Sequence, residues 1–257
     1  MTPVIAPPEP GLTEAELVET SHRVAARADR TTGGDRAVDA LPADHPRGLL
    51  TGRVHWALQP LRYGGYEFGL PAFCRVVTEV ARGCPSSGWA LSLTAAHVLQ
   101  VASAFGERAQ DEIFGADGEF RTASTLAPVG VAQPDGDHVI LDGTWPYSSG
   151  APYSTHYVGQ TLRAPEKPGD APGPLVLFCA PREVWTVLDD WHGVLGLRGS
   201  GSNSIRMAQA RIPAHHTVGT GLLDLPVEGG SPARSCTATP CMPGGHRASS
   251  TANSPPS

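Results

Sequence analysis

Apolar positions recur along this chain in two periods, and the change between them falls near its middle. From Leu70 to Arg82, Phe73, Val76, Val77 and Val80 stand three and four residues apart, on one face of an α-helix. Gly83 follows, a residue that commonly ends a helix. A second helix is expected from Ser86 or Ser87 to about Phe105, where His97 is the single titratable side chain in SGWALSLTAAHVLQVASAF. A helix apolar on every side belongs inside a helical layer. An earlier helix opens at Thr13, with Glu16 three residues on in a capping-box pattern, and runs to about Ala28, where TTGGDR breaks it. A short helix covers Glu107–Phe114.

After Gly115–Gly118 the pattern shortens to strand-length runs. They are Phe120–Ser124, Val129–Gln133, His138–Leu141, Thr144–Gly150, His156–Leu162, Leu175–Cys179, Val184–Leu188 and Ser204–Ile212. Pro134–Asp137 reads as a turn, and so does the Asp142-Gly143 pair, because glycine takes positive φ without steric cost. Helices first and strands after make this an α+β chain. The expected division is a disordered lead over residues 1–10, a helical domain over 11–116, a β domain over 117–225 and a disordered tail over 226–257. After Val227 there is no Val, Ile, Leu, Phe, Trp or Tyr, so the tail cannot offset its chain entropy by burial.

Composition narrows the function. The chain has 257 residues, a net charge of −6 and Lys167 as its only lysine, so no basic surface for nucleic acid is expected. No apolar run approaches the roughly 18 residues that span a bilayer. The five cysteines are scattered without metal spacing, which fits reduced thiols in a cytoplasmic protein.

Candidate chemistry concentrates in FRTASTLAPVGVAQPDGDHVILDGTWPYSSGAPYS, residues 120–154. Ser124 and Thr125 end one strand, and Ser148 and Ser149 end another behind Trp145 and Tyr147. Small hydroxyls beside a large aromatic can admit a flat ring and hydrogen-bond its edge; an ordinary hairpin with polar turns is the plainer reading. His97 is either a satisfied core histidine or a general acid/base. Gly196–Ser202, GLRGSGS, lacks the spacing of a phosphate loop and precedes a strand. His215 and His216 are adjacent, and adjacent side chains diverge; no carboxylate lies nearby in sequence, so no metal is expected. Ser148 has no GxSxG context, and Cys84 at a helix start reads as a small turn residue.

Three blocks in order carry a family resemblance: ARGCPSSGWALSLTAAH (Ala81–His97), TASTLAP…DGTWPYSSG (Thr122–Gly150) and DDWHGVLGLRGSGSNSI…ARIPAHH (Asp189–His216), preceded by RYGGYE at Arg62–Glu67. Over about residues 11–225 the chain resembles the acyl-CoA dehydrogenase fold, in its branch of group D flavin-dependent aromatic hydroxylases such as the oxygenase component of 4-hydroxyphenylacetate hydroxylase. The resemblance implies a helical domain, a central β-barrel and a C-terminal four-helix bundle, with the flavin where they meet. It implies reduced FMN or FAD from a separate flavin reductase, O₂, a small aromatic or polyketide-like substrate and a homo-oligomer. Ser124, Ser148 and Ser149 would touch the flavin ring, with Ser148 or Ser149 near N5. Trp145 would pack on the ring's flank, and Arg198 and Ser200–Ser202 would lie near the cofactor edge. His97 would sit by the substrate phenol.

The resemblance also implies a departure, because the apolar-poor tail stands where relatives continue into the bundle. SCTATPCMPGGHR (Ser235–Arg247) falls where relatives carry an Arg-x-Pro-x-x-Ala-Gly-Arg type sequence. The coding sequence is therefore expected to be frameshifted or truncated near Gly229–Ser235, and the chain as it stands to be inactive. The alternatives are an acyl-CoA dehydrogenase-type oxidoreductase and a non-catalytic two-domain remnant.

Overall fold

A computed structural model of the protein describes residues 5–32, 53–115 and 118–219. The tail expected at 226–257 and the frameshift expected near Gly229–Ser235 lie outside the described residues.

Five helices come first: α1 (Glu14–Thr32), α2 (Leu70–Gly83), α3 (Pro85–Ala96), α4 (Val98–Ala104) and α5 (Glu107–Phe114). The capping box at the start of α1 forms. The Glu16 carboxylate accepts from the Thr13 backbone N–H at 2.9 Å, and the Thr13 hydroxyl accepts from the Glu16 N–H at 3.3 Å. That helix outlasts its expected end at Ala28 by four residues. Pro85 starts α3 at a position where its missing N–H is not needed. The single helix expected from Ser86 to Phe105 is two, broken at His97, whose N–H reaches Leu93 O only at 3.5 Å. Three residues earlier the Thr94 hydroxyl donates to the Ala90 carbonyl at 2.8 Å, a back-bond that bends helices.

Gly83 does more than end α2. A Cβ there would lie 2.1 Å from the Ala25 carbonyl oxygen, so this glycine lets α1 and α2 touch at backbone distance. Residues 5–10, expected to be disordered, run beside the RYGGYE loop. Ile5 forms a bridge with Tyr63, and the Glu9 N–H donates to the Tyr66 hydroxyl at 3.2 Å.

Eight strands follow: β1 (Thr122–Thr125), β2 (Val131–Asp135), β3 (His138–Trp145), β4 (His156–Arg163), β5 (Leu175–Pro181), β6 (Thr186–Val187), β7 (Ile205–Pro213) and β8 (Thr217–Gly219). They make one mixed sheet ordered β6-β7-β3-β2-β4-β5-β8, with β1 beside β4. The Asp142-Gly143 turn expected from sequence is absent. His138 to Trp145 is one strand, and the register with β7 shifts between Leu141 and Gly143. A Cβ on Gly143 would lie 2.8 Å from Gly130 Cα, so the glycine marks a bulge where two backbones approach. The turn at Gly136 and Asp137 does form, with Gly136 at φ 63° between paired Asp135 and His138.

The expected barrel is an open path of hydrogen-bonded strands among the described residues, yet the sheet is strongly curled. β5 and β6 lie five strand spacings apart, about 24 Å on a flat sheet. The chain from Pro181 to Thr186 joins them and can span only about 17 Å. Curling leaves an inner core of Trp145, Tyr157, Phe178, Trp185, Ile205 and Met207. The outer face of β4 and β5 packs on the helices through Val158, Leu177 and Cys179. Both faces of these two strands are buried, which is why their sequences read as nearly continuous apolar runs.

Candidate functional site

The loop that follows β3, residues 146–154, lies against α3. Gly150 has φ 78°, and a Cβ there would come within 2.3 Å of Thr94 Cγ2, so only glycine lets the loop seat on the helix. Next to it, the Trp89 indole N–H of α3 donates to Ser149 Oγ at 3.0 Å. Ser149 Oγ in turn lies 2.7 Å from Ser202 Oγ, which lies 2.6 Å from Ser200 Oγ. The GLRGSGS segment supplies the last two. Its backbone turns sharply, with left-handed residues at Leu197 and Gly201 around a 3-10 turn at Arg198–Ser200, and Ser200 O accepts from Gly150 N at 2.9 Å.

This chain of hydroxyls has a surplus donor. Three serines carry three hydroxyl protons, their two mutual bonds use two, and Trp89 fills an acceptor site on Ser149. One O–H therefore remains to be given to something else, in a nearly dry spot where an unused donor is unfavourable.

A second uncommitted hydroxyl lies on β1. Ser124 pairs with Val158 in register, so it shares the helix-facing side of the sheet, and its buried Oγ has no hydrogen-bond partner. Around these groups the surface carries exposed apolar side chains. Trp89 is 47% exposed, and Tyr147, held at φ 54° and 72% exposed, meets Trp191 edge-on at 6.4 Å. Leu126 and Leu195 stand out on the neighbouring loops.

His97 closes α3 eight residues beyond Trp89, about 12 Å along the helix. Burial pushes its imidazole down to about 4, so it is neutral at neutral pH. A base that weak holds a phenol's proton roughly a million times less well than the phenolate does.

Two expected site residues point elsewhere. Trp145 is fully buried inside the curled sheet, where its indole donates to Gln160 O at 2.9 Å and its ring meets Phe178 at 5.4 Å. It has no flank to offer a ligand. Ser148 is fully buried too, with its hydroxyl donating to Trp145 O at 3.1 Å and lying 3.2 Å from Thr125 Oγ1 and 3.3 Å from the Tyr157 hydroxyl. Its capacity is used by the core. Arg198 is half-buried, and its carbonyl accepts from the Trp191 indole at 3.0 Å. Cys84 is buried against Tyr153.

Sequence reasoning missed Trp89, hidden as one more apolar residue of a buried-looking helix, and it misread the histidine pair. His215 and His216 do not diverge: both Nε2 atoms meet Glu112 Oε2, at 2.6 and 3.1 Å. The carboxylate that seemed missing comes from α5, about a hundred positions earlier in the chain.

Comparison with known proteins gives this geometry a context. No protein-family model matches the chain. It is 32% identical over 178 residues to the flavin-dependent monooxygenase oxygenase subunit HsaA of Rhodococcus jostii, an alignment covering 69% of this chain and 45% of that protein. It is 26% identical over 208 residues to the oxygenase component of p-hydroxyphenylacetate 3-hydroxylase of Acinetobacter baumannii, covering 80% and 48%. The solved structure of XiaF from a Streptomyces species, in complex with FADH2 and glycerol, superposes with a TM-score of 0.73 at 27% identity, over 80% of this chain and 51% of that one. The fold is that of the acyl-CoA dehydrogenase-like flavin monooxygenases. Within that class the chain is similar, over 69% to 80% of its own length, to oxygenase subunits of flavin-dependent monooxygenases. It spans about half the length of the curated relatives it matches.

A flavin's polar edge needs hydrogen-bonding groups that the protein has not already used. Ser124 fits, since its buried hydroxyl has no partner, and the Ser149–Ser202–Ser200 chain carries one O–H more than its two mutual bonds use. Ser148 and Trp145 do not fit. Among the described residues no helix is long and apolar enough to cross a membrane.

Proposed function

We propose that this chain is the oxygenase component of a two-component flavin-dependent monooxygenase that hydroxylates a small aromatic substrate. In this reading a separate reductase delivers reduced FMN or FAD, and the flavin supplies the activation of O₂. Ser124 and the surplus O–H of the Ser149–Ser202–Ser200 chain would hold the polar edge of the ring. Trp89 would fix Ser149, and the Tyr147–Trp191 pair would keep water from the ring's open side. His97, neutral and partly enclosed, would hydrogen-bond the substrate hydroxyl and orient the ring carbon to be hydroxylated. Arg198 would stand at the cofactor's outer edge.

The observation that carries this reading is the buried Ser124 hydroxyl left without a partner on the helix-facing side of the sheet, in a fold whose similar proteins are flavin monooxygenases. The test supplies photoreduced FMN or FAD without oxygen, then admits oxygenated buffer with a panel of phenols, using ¹⁸O₂ to trace the product. A hydroxylated phenol carrying ¹⁸O supports the reading. Flavin oxidation with only hydrogen peroxide formed, and the phenol unchanged, leaves the chain a flavin binder without oxygenase activity and refutes it.

A further inference from the structure

A second cluster of ligating side chains forms at the other end of β3. Register pairs His138, where β3 begins, with Pro213, and pairs Trp145, where it ends, with Ile205. The two ends lie about 23 Å apart, so this cluster is separate from the serines around Ser149. Past Pro213, residues Ala214–His216 make a 3-10 turn. The turn sets the two imidazoles at 84° to each other with centroids 4.8 Å apart, so that their Nε2 atoms converge. Glu112 of α5 reaches up to meet them, and one ligand atom from each of the three residues lies within 4.8 Å of the others.

We propose that Glu112, His215 and His216 bind a divalent transition-metal ion of the Zn²⁺ type, tying α5 to the corner between β7 and β8. Two imidazoles and a carboxylate are borderline ligands suited to Zn²⁺, Ni²⁺ or Cu²⁺ and poor ones for Mg²⁺ or Ca²⁺. In the metal-free state both histidines carry a proton on Nε2 to bond the one oxygen; on binding an ion each neutral ring carries its proton on Nδ1 and turns the Nε2 lone pair to the metal. The carboxylate is already aimed. Arg108 Nε holds Glu112 Oε1 at 3.1 Å, leaving Oε2 for the cluster, the kind of outer contact that orients a metal-binding carboxylate. His216 is nearly buried, whereas Glu112 and His215 keep 41% and 26% of their side chains exposed, so an ion and a water ligand can enter from solvent. His216 Nδ1 has no partner to steady it, so Glu112 and His215 carry most of the affinity.

The test is a titration of the full chain, prepared without a polyhistidine tag and stripped of metal, with Co²⁺ as the visible probe and Zn²⁺ as competitor. One equivalent of Co²⁺ should give a saturable absorption band that Zn²⁺ removes, and Zn²⁺ should raise the melting temperature. His215→Ala should abolish the band and Glu112→Gln weaken binding at least tenfold, while His192→Ala, on an exposed loop, leaves it unchanged. Should the His215 variant fail to fold, protection of His215 by Zn²⁺ against diethylpyrocarbonate, located by peptide mass spectrometry, reads the same site in the unaltered chain. No saturable binding, binding that survives His215→Ala, or an unprotected His215 overturns the proposal.

Discussion

Neighbouring serines in this chain have opposite fates, and the difference is measurable. Ser148 is spent on Thr125, Trp145 O and Tyr157, so Ser148→Ala should lower stability by about 1–2 kcal/mol in a denaturant melt. Its effect on flavin affinity should be small. Ser124 is the reverse. Its hydroxyl is buried without a partner, so Ser124→Ala should leave stability equal or higher, within about 1 kcal/mol, while weakening reduced-flavin binding several-fold. A loss of stability in Ser124→Ala would show that the hydroxyl serves the fold. His97 adds a pH dependence. Its imidazole is held near 4 in the folded chain against 6.5 when free, so below about pH 6.5 the unfolded chain takes up a proton that the folded chain refuses. Stability should therefore fall between about pH 6.5 and 4, by up to about 3 kcal/mol, and His97→Gln should flatten that slope in urea melts across the range. The hydroxyls and His97 were visible in sequence as residue types within the blocks that carry the family resemblance. Their roles were not, because whether a hydroxyl is spent or free depends on partners from other strands, and Trp89 meets Ser149 across 60 positions.

At the scale of elements, local pattern located most helices and strands, and it failed where a residue serves contact with a distant backbone. Glu107–Phe114 carries its own charges, with Glu107 in its first turn, and ends before Gly115, so its limits could be read directly. Asp142-Gly143 could not: the pair favours a turn locally, but Gly130 presses against Gly143 and the strand continues with a bulge. β8 was missed because three residues, Thr217–Gly219, form a strand only by pairing with β5. Gly83 ends its helix as expected, but its second use, admitting the Ala25 backbone through its lack of a side chain, could not be read locally. Gly83→Ala tests this: overpacking against backbone should destabilise by about 1–3 kcal/mol, well beyond the few tenths of a typical surface substitution. A neutral Gly83→Ala would mean that α1 and α2 separate at little cost.

Across the whole molecule, the helical layer and the curled sheet share a core, because β4 and β5 give one face to each. The proposed flavin face lies along that seam, where α3 meets the ends of β1 and β3, and it borrows residues from both sides. The helical-then-β order was legible in the sequence. The curl was not, since it follows from the short link between β5 and β6, which the strand pattern alone does not interpret. Trp89→Phe removes the indole hydrogen bond from α3 to Ser149 while keeping an aromatic surface, so it should weaken flavin affinity more than it changes melting temperature. The most direct measurement is an anaerobic titration of the chain with photoreduced FMN and FAD, followed by tryptophan fluorescence, in parallel with Ser124→Ala and Ser149→Ala. Saturable binding in the parent chain, weakened several-fold in each variant whose fold is intact, is the predicted result. No binding, or equal affinity in all three, would contradict a flavin site at this seam.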